Sequence, residues 1–200
     1  MIWLAVWTGI LPYRCGIGRI FHMHKVATSF DGLYLIESKI FEDSRGVLNK
    51  YYQKSIFDNM GIDTDFREML YTVSHKDVVR GMHFQKPPSA HAKLVCSIKG
   101  AILDVVLDLR KNATTYGKAY SVVLSEKNKK IIYIPTGFAH GYKVLEDNSI
   151  TLYHTTSEFN PEDDAAIHWN SFGFDWGTEK PIVSEKDMKA LPFESYASPF

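Results

Sequence analysis

The sequence has few cysteines, no excess of either charge, and no apolar run long enough to cross a bilayer. Its two cysteines, Cys15 and Cys96, form neither a disulfide framework nor a CxxC pair, which predicts a reducing, cytoplasmic setting. The formal net charge is +0 at pH 7, so no global basic field attracts nucleic acid or an anionic membrane surface. Any anion site must therefore be local, built from a few placed Arg and Lys side chains.

The N-terminal segment differs in composition from the rest of the chain. The stretch Ile2–Leu11 is almost wholly apolar, but it ends at Pro12 and is too short to span a bilayer. No Lys or Arg precedes this run, so it does not read as a secretory signal. We interpret residues 1–22 as a non-native or disordered extension, with Met23 as an alternative start, and residues 23–200 as a single domain. The alternative is an extra edge strand or an interface segment.

After Lys25 the chain alternates between short strand-like runs and turn residues. The candidate strands are Leu33–Ile36, Val47–Tyr52, Met69–Ser74, Lys93–Ile98, Ile102–Leu107, Ser121–Leu124, Ile131–Ile134 and Ile150–Thr155. The two aliphatic runs that flank Lys99-Gly100 predict a hairpin. One short helix is predicted over Ser55–Met60, with Ser55 as its N-cap. Many short strands with close turns predict an all-β fold, an antiparallel barrel or jelly roll.

Three segments carry polar groups that interrupt the strand pattern. The first is Arg80-Gly81-Met82-His83-Phe84-Gln85, where alternation puts Arg80 and Met82 on one face and His83 on the other. In the second, Pro and two Gly surround His140, which predicts a tight turn that presents the imidazole. The third contains Tyr153 next to His154, and these side chains point to opposite faces of a strand. A lone His or Tyr in a strand is more often structural than catalytic, and a lysine that opens a strand, as Lys93 does, often only reaches water.

The histidine spacing does not favour a metal site. Metal-binding cupin barrels usually offer a His-x-His pair, a nearby Glu and a later His, but position 85 is Gln, so His83 lacks its partner. His91 lies beyond the Pro87-Pro88 break, and no Glu follows at the usual spacing. His83 and His140 alone make a poor ligand set. The histidine spacing therefore predicts no catalytic metal.

Read together, these segments resemble the dTDP-4-dehydrorhamnose 3,5-epimerase family over roughly residues 30–190. The matching stretches are Phe41-Glu42-Asp43-Ser44-Arg45-Gly46, Arg80 to Gln85 with Pro87-Pro88, Lys93-Leu94-Val95, Asp104 to Arg110, Ile134 to Tyr142, Leu152-Tyr153, Ile167-His168-Trp169-Asn170 and Val183-Ser184-Glu185-Lys186-Asp187. The resemblance implies a cupin-like jelly-roll barrel that forms a homodimer. It also implies a cofactor-independent epimerase that inverts C3, C5 or both in a nucleotide-linked 4-keto-6-deoxyhexose.

The resemblance also implies roles for particular residues. His83 matches the general base and Asp187 its orienting carboxylate, while Lys93 matches the residue that stabilises the enolate and Tyr153 the opposing acid. The positions that match substrate-binding residues of the family are Arg45, Arg80, His140, Asp164 and Lys186. In that family the residue at the position of Arg45 reaches across the dimer. An imidazole titrates near neutrality, and a ketone acidifies the adjacent C–H bonds, so these residue types suit proton abstraction.

The residues that read the nucleotide depart from the family pattern. Lys50 stands where the family has Glu, and Asp164 also replaces a Glu. The family's Gln-x-Asn-x-Ser run is missing from the corresponding stretch, Glu68 to Thr72. These differences leave open a CDP- or GDP-linked substrate and an enzyme that inverts a single centre. A 3,4-ketoisomerase and a non-catalytic sugar-binding cupin are the remaining alternatives.

Overall fold

A computed structural model of the chain describes residues 13–14 and 20–200. Tyr13–Arg14 and Ile20–Phe21 are two short strands, β1 and β2, that pair antiparallel. Most of the predicted extension, residues 1–22, lies outside the described residues, so the division of the chain at Met23 stays a prediction.

The described chain is built mainly from short strands. After β1 and β2 they are β3 (Met23–Ala27), β4 (Tyr34–Ser38), β5 (Phe41–Asp43), β6 (Gly46–Leu48), β7 (Glu68–Ser74), β8 (Val79–Gln85), β9 (Lys93–Lys99), β10 (Ala101–Asp108), β11 (Ala119–Ser125), β12 (Ile131–Ile134), β13 (Phe138–Val144), β14 (Ser149–Thr155) and β15 (Asp164–Ala166). The helical elements are α1 (Lys54–Asn59), α2 (Glu185–Met188) and a 3₁₀ turn at Phe193–Ser195.

Two antiparallel sheets form the body of the fold. One sheet has the order β3-β4-β12-β9-β14-β7 and the other the order β11-β10-β13-β8-β15, while β5 and β6 make a separate hairpin. Consecutive strands often lie in different sheets, as expected of a jelly roll. The predicted all-β, cupin-like jelly roll with a few short helices is confirmed.

Apolar residues fill three layers around these sheets. Between the sheets, Val95 and Ile132 of the six-stranded sheet pack with Val106 and Leu124 of the five-stranded sheet. Residues 167–200 cover the outer face of the five-stranded sheet, with apolar contributions from Ile167, Trp169, Trp176, Phe193 and Phe200. This sheet is therefore apolar on both faces, which explains why every residue of β13 is buried.

The outer face of the six-stranded sheet carries the third layer. Phe57 of α1 and Ile62, just after it, pack against Leu94 and Ile131. The predicted helix exists, but it begins at Lys54, and Gln53 is its N-cap without a side-chain capping bond. The prediction that Ser55 caps the helix is wrong, because Ser55 already lies in the first turn. Phe57 is fully buried, so docking of its ring rather than capping stabilises this short helix.

Most predicted strands lie within one or two residues of the observed ones, but Val47–Tyr52 is wrong beyond Leu48. The strand β6 pairs only with β5, and the ladder ends at Leu48. Asn49 then accepts a hydrogen bond from the Ser38 hydroxyl at 2.6 Å, which holds the chain away from an extended pairing.

The predicted hairpin at Lys99-Gly100 is also wrong. Strand β9 pairs with β12 and β14, whereas β10 pairs with β11 and β13, so the chain crosses between the two sheets at this turn. Gly100 has φ +69°, a left-handed conformation that favours glycine. A Cβ at this position would lie 2.3 Å from the Ser149 hydroxyl, which itself accepts from the Ala101 amide at 3.1 Å.

We predict that Gly100→Ala lowers the free energy of unfolding by about 2–4 kcal/mol, because it combines left-handed strain with a clash against Ser149. Gly173→Ala is the matched control, since Gly173 has φ +73° but no atom lies within 4 Å of its added Cβ. The control should lose only about 1 kcal/mol. Urea unfolding of both variants measures the difference, and equal losses would contradict the account of the sheet crossing.

Candidate active site

An open cavity of about 290 Å³ lies between the two sheets. Its polar and aromatic walls come from both sheets and from the segments beside them. The lining residues include Glu68, Leu70, Thr72, Arg80, His83, Gln85, His91, Lys93, His140, Tyr142, Tyr153, Asp164 and Lys186. All predicted site residues line the cavity except two, Asp187 and Arg45. Asp187 lies directly behind the cavity wall.

His83 and Asp187 form a short imidazole–carboxylate pair. The His83 Nε2 and Asp187 Oδ1 atoms are 2.6 Å apart, and Asp187 also accepts from the Gly81 amide at 3.3 Å. Asp187 is buried, and burial alone would raise its pKa. The hydrogen bonds from His83 and Gly81 outweigh burial and lower the pKa below its ordinary value, so the carboxyl is ionised near neutrality. The His83 side chain is 35% exposed, so its other edge is accessible from the cavity.

The helix α2 places Asp187 against β8. Its N-cap is Ser184, whose hydroxyl accepts from the Asp187 amide at 3.1 Å. Ser184 and Asp187 have the spacing of a capping box, a sequence signal that could have located this short helix. The cap fixes the backbone of Asp187, and the carboxylate then fixes the His83 ring.

A bulge in β8 puts Arg80 and His83 on the same side. In the ladder with β13, His83 pairs with His140, but Arg80 pairs with Tyr142, so β8 contains one extra residue between them. Arg80 therefore lines the cavity, where its Nε donates to the Ser74 hydroxyl at 3.1 Å, while Met82 is buried in the layer outside the five-stranded sheet. The expectation that Arg80 shares a face with Met82, opposite His83, is wrong because simple alternation fails at a bulge.

Lys93, the first residue of β9, points into the cavity rather than to water. Its Nζ donates to the backbone carbonyl of His83 at 3.1 Å. Burial lowers the pKa of the Lys93 ammonium from 10.5 to about 8, against the opposing influence of Asp104 and Asp164. The side chain is thus a desolvated cation at neutral pH, beside the imidazole.

Tyr153 lies on the opposite wall from His83. It belongs to β14 of the six-stranded sheet, whereas His83 belongs to β8 of the five-stranded sheet. Tyr153 is buried, with its ring 6.1 Å from that of His140 and 6.3 Å from that of Tyr142. Burial first, and the neighbouring Tyr142 second, raise the pKa of Tyr153 well above its ordinary value, so the phenol keeps its proton.

The next residue, His154, lies on the opposite face of β14 from Tyr153, as strand alternation predicts, and it is the one that faces away from the cavity. Its ring packs against Tyr51, Tyr52 and Phe66 on the outer side of the six-stranded sheet. Tyr153 is therefore the member of this pair that can reach a ligand.

His140 forms a second imidazole–carboxylate pair. Its Nε2 is 2.8 Å from Asp104 Oδ2, and both side chains are buried. Burial lowers the pKa of His140, although Asp104 opposes that shift. The prediction that a tight turn presents His140 is wrong, because the turn residues Pro135–Gly137 precede the strand β13, in which His140 lies.

Three other predicted residues lie at or outside the rim. The ammonium of Lys186 contacts the carboxylate of Asp164 at the mouth of the cavity. Arg45 lies on the turn between β5 and β6, where its Nη2 is 2.6 Å from Asp43. Arg45 does not reach the cavity of its own chain.

Sequence reasoning missed several residues that line the cavity or support a lining residue from behind. Asp104 interrupts an otherwise aliphatic strand, a signal that marks it as a partner for a buried polar group. Gln85, Tyr142 and Thr72 gave no such signal, because each lies in a strand where its type is common. The Tyr142 hydroxyl is 2.8 Å from the Thr72 hydroxyl, which joins the two sheets across the cavity.

The described residues contain no group of three or more His, Cys, Asp or Glu side chains that could hold a metal ion. Within the same part of the chain, no helix is both long and apolar enough for a membrane span.

Chemically, the cavity combines a base, an acid and a cation in fixed positions. An imidazole backed by an ionised carboxylate can take a proton from carbon on one side of a bound molecule. A protonated phenol on the opposite wall can return a proton to the other side. A desolvated ammonium near the base can stabilise an oxyanion that forms between these two steps.

The chain matches known proteins over most of its length. A family model described as dTDP-4-dehydrorhamnose 3,5-epimerase matches residues 27–195. A relative of that name from Methanothermobacter thermautotrophicus is 39% identical over 172 residues, which cover 84% of this chain and 92% of the relative.

Solved structures agree with that match. The crystal structure of dTDP-4-dehydrorhamnose 3,5-epimerase from Elizabethkingia anophelis superposes with a TM-score of 0.81 at 37% identity, covering 86% of this chain and 97% of that one. The Legionella pneumophila dTDP-6-deoxy-D-glucose-3,5-epimerase, solved with dTDP-4-keto-L-rhamnose, has a TM-score of 0.83 at 34% identity, with 88% and 95% coverage.

We predict that Lys93→Met raises the free energy of unfolding at pH 7 by about 1–3 kcal/mol, because a pKa lowered to about 8 means that the folded chain penalises the charged form. The unfolded chain binds this proton up to its ordinary pKa, so wild-type stability rises between pH 8 and 10.5, and the advantage of the variant shrinks over that range. Urea unfolding at pH 7 and pH 10 measures both effects. Lys99→Met, on the exposed end of the same strand, should change stability little, and a destabilised Lys93→Met would contradict the burial argument.

Proposed function

This chain belongs to the dTDP-4-dehydrorhamnose 3,5-epimerase family of carbohydrate isomerases, and we propose that it inverts C3 and C5 of dTDP-4-dehydro-6-deoxyglucose with His83 as base and Tyr153 as acid. One observation carries the assignment of roles. The His83–Asp187 pair and Tyr153 lie on opposite walls of one cavity, with 2.6 Å between the imidazole and its carboxylate. Inversion at carbon needs proton removal on one face and proton return on the other.

The first step is proton abstraction next to the ketone. His83 takes the proton from C3 or C5, and the electron pair of the C–H bond moves to the C4 oxygen, which becomes an enolate. Asp187 is ionised, so it orients the ring and stabilises the imidazolium that forms. A positioned base of this kind typically contributes about 10²–10⁴-fold to the rate.

Lys93 stabilises the enolate in this proposal. Its ammonium is desolvated and bonded to the backbone carbonyl of His83, and in such a place a cation interacts with a developing oxyanion more strongly than it does in water. Loss of one oxyanion donor costs about 3–4 kcal/mol in other enzymes, which sets the scale for Lys93.

Tyr153 completes the inversion from the other side. Its raised pKa keeps the hydroxyl protonated until the carbanion accepts the proton. The resulting tyrosinate takes a proton from solvent, and the imidazolium of His83 releases one, so the enzyme returns to its starting state. Each inverted carbon therefore carries a solvent-derived hydrogen.

Basic residues near the mouth of the cavity are proposed to hold the diphosphate. Arg80 lies in the cavity and Lys186 at its rim, and a guanidinium can bridge two phosphate oxygens. His140 and Asp164 are proposed as further substrate contacts. The relatives named above act on dTDP-linked sugars, which favours dTDP here over CDP or GDP.

A homodimer is part of the proposal. Met69, Tyr71 and Val73 alternate along the edge strand β7 and are 63%, 66% and 54% exposed. In the same sheet, Ile98 of β9 is 53% exposed. The alternate residues of the same strand, Glu68, Leu70 and Thr72, line the cavity. A second subunit docked on this apolar face would sit next to the cavity, where the partner subunit's Arg45 could reach the diphosphate.

We also propose a cytoplasmic location. Cys96 is a free, buried thiol, and burial raises its pKa, so it is an inert core residue rather than part of a disulfide. That state is typical of reducing compartments.

Deuterium incorporation from D₂O, followed by proton NMR, tests the proposed chemistry. We predict that the wild type labels C3 and C5 of the dTDP-linked 4-keto sugar, that His83→Ala lowers exchange by about 10²–10⁴-fold, and that Tyr153→Phe exchanges but fails to complete inversion. His75→Ala and Tyr116→Phe, both outside the cavity, are the controls. If the wild type labels only the CDP- or GDP-linked sugar, the proposed dTDP substrate is wrong. If His83→Ala exchanges at the wild-type rate, His83 is not the base.

We predict that Tyr71→Glu converts the dimer to monomers, because it buries a carboxylate in the proposed apolar interface. Val123→Glu is the control, since Val123 is a 41% exposed apolar residue on β11, the edge strand of the other sheet. Sedimentation equilibrium distinguishes the two species. A monomeric wild type, or a dimeric Tyr71→Glu, would show that this face is not the interface.

A further inference from the structure

His91 is a cavity residue that the mechanism above does not use. It lies between β8 and β9 and lines the cavity together with Lys93 and His140. Its Nδ1 lies 3.0 Å from the Ser157 hydroxyl. Its Nε2, on the other edge of the ring, is buried and has no hydrogen-bond partner among the described residues.

The surrounding hydrogen bonds fix which nitrogen of His91 carries the proton. Gln85 Oε1 accepts from the Asn160 amide at 2.6 Å, which orients the side-chain amide. The Gln85 NH₂ group lies within hydrogen-bond distance of four atoms: the backbone carbonyls of Ser89 at 2.9 Å and Glu158 at 3.0 Å, the Ser157 hydroxyl at 3.1 Å and His91 Nδ1 at 3.2 Å. The two carbonyls are the closest and can only accept, so they take the two hydrogens. Both of its hydrogens are thus used.

The Ser157 hydroxyl completes this assignment. Two of its neighbours could accept its single hydrogen, the Ser89 carbonyl at 2.7 Å and His91 Nδ1 at 3.0 Å, and the shorter distance assigns the hydrogen to Ser89. With that assignment the hydroxyl accepts from His91, and Nδ1 carries the hydrogen that joins the two residues. A neutral imidazole has one N–H, and Nε2 is consequently a bare acceptor.

His91 remains neutral over the working range of most enzymes. Burial, followed by the nearby Lys93 and His140, lowers its pKa to about 3. So weak a base does not abstract a proton from carbon. His91 therefore cannot take the role that is proposed for His83. What it offers a ligand is one fixed, uncharged hydrogen-bond acceptor.

The neighbouring groups explain why such an acceptor is useful. Arg80, Lys93 and Lys186 present only donors to the cavity. The carboxylates of Asp164 and Asp187 already hold Lys186 and His83. Asp104 also has an unpartnered buried oxygen, but Asp104 does not line the cavity.

We propose that Nε2 of His91 accepts a hydrogen bond from a ring hydroxyl of the bound sugar, at C2 or C3, and so makes His91 a specificity-determining residue. The inference rests on the proposed function, since it needs a hydroxylated 4-keto sugar in this cavity. A purely structural role for His91 would need only Nδ1, which bonds to Ser157, and would leave Nε2 without a function. An unpaired buried nitrogen is unfavourable in the free protein, and a substrate hydroxyl that pairs with it removes that penalty.

A cycle that crosses variants with substrates tests this contact. Asn and Gln replace different halves of the imidazole: His91→Asn keeps an amide near Nδ1 but has nothing at Nε2, whereas His91→Gln can place an amide oxygen near Nε2. The substrates are the dTDP-linked 4-keto sugar and its 2-deoxy and 3-deoxy analogues. For the wild type we expect kcat/KM to fall about tenfold for one of the analogues.

The two variants should then separate. His91→Asn should lose about tenfold on the parent sugar and discriminate less than about twofold against that analogue, while His91→Gln should recover part of both losses. His75→Asn, an exposed histidine outside the cavity, is the control. A His91→Asn enzyme that keeps the wild-type discrimination overturns the inference, whereas a wild type inactive on every sugar overturns the proposed function instead.

Nitrogen NMR of the wild type, labelled with ¹⁵N-histidine, tests the same contact without a variant. Nε2 of His91 should be unprotonated in the free protein, and its signal should move when the sugar nucleotide binds but not when dTDP alone binds. A protonated Nε2, or a signal that dTDP moves equally, overturns the inference even if the variants fail to fold.

Discussion

The 2.6 Å contact between His83 and Asp187 is the interaction on which the rest of the site depends. It joins β8, in the wall of the cavity, to α2, in the C-terminal segment that covers the outside of the same sheet. The carboxylate is buried, so its charge is tolerated only because it accepts from His83 and from the Gly81 amide. Removing either partner would leave an uncompensated buried group. The reactive imidazole and the packing of the C-terminal segment are therefore stabilised together.

The jelly roll provides what this chemistry needs, two walls that face each other. One sheet carries His83 and His140, and the other carries Lys93 and Tyr153. Apolar packing between the sheets sets their separation, and the Tyr142–Thr72 hydrogen bond ties them together at the cavity. The proposed base and acid must act on opposite faces of a ring, and their places in two different sheets meet that requirement.

Local sequence patterns predicted most strands, the all-β class and the catalytic candidates, but not the features that depend on pairing between distant segments. The aliphatic runs around Gly100 look like a hairpin, because the sequence does not show that each run finds its partners in a different sheet. The bulge at Gly81 is equally invisible, and it alone brings Arg80 to the side of His83. The sequence suggested His91 only as a metal ligand, because its hydrogen bond to Ser157 joins two segments that meet only in the fold.

The cavity concentrates groups that oppose folding. Lys93 is a desolvated cation with a lowered pKa, and Nε2 of His91 has no hydrogen-bond partner among the described residues. Each is unfavourable in the empty protein, and in the proposed mechanism an enolate pairs with Lys93 and a sugar hydroxyl with His91. The fold compensates through the five-stranded sheet, which is apolar on both faces and holds β8 and β13 between two packed layers. A sheet with one solvated face would bury less apolar surface, and so would offset less of the cost of these groups. The C-terminal segment that covers this sheet therefore stabilises the cavity as well as the core.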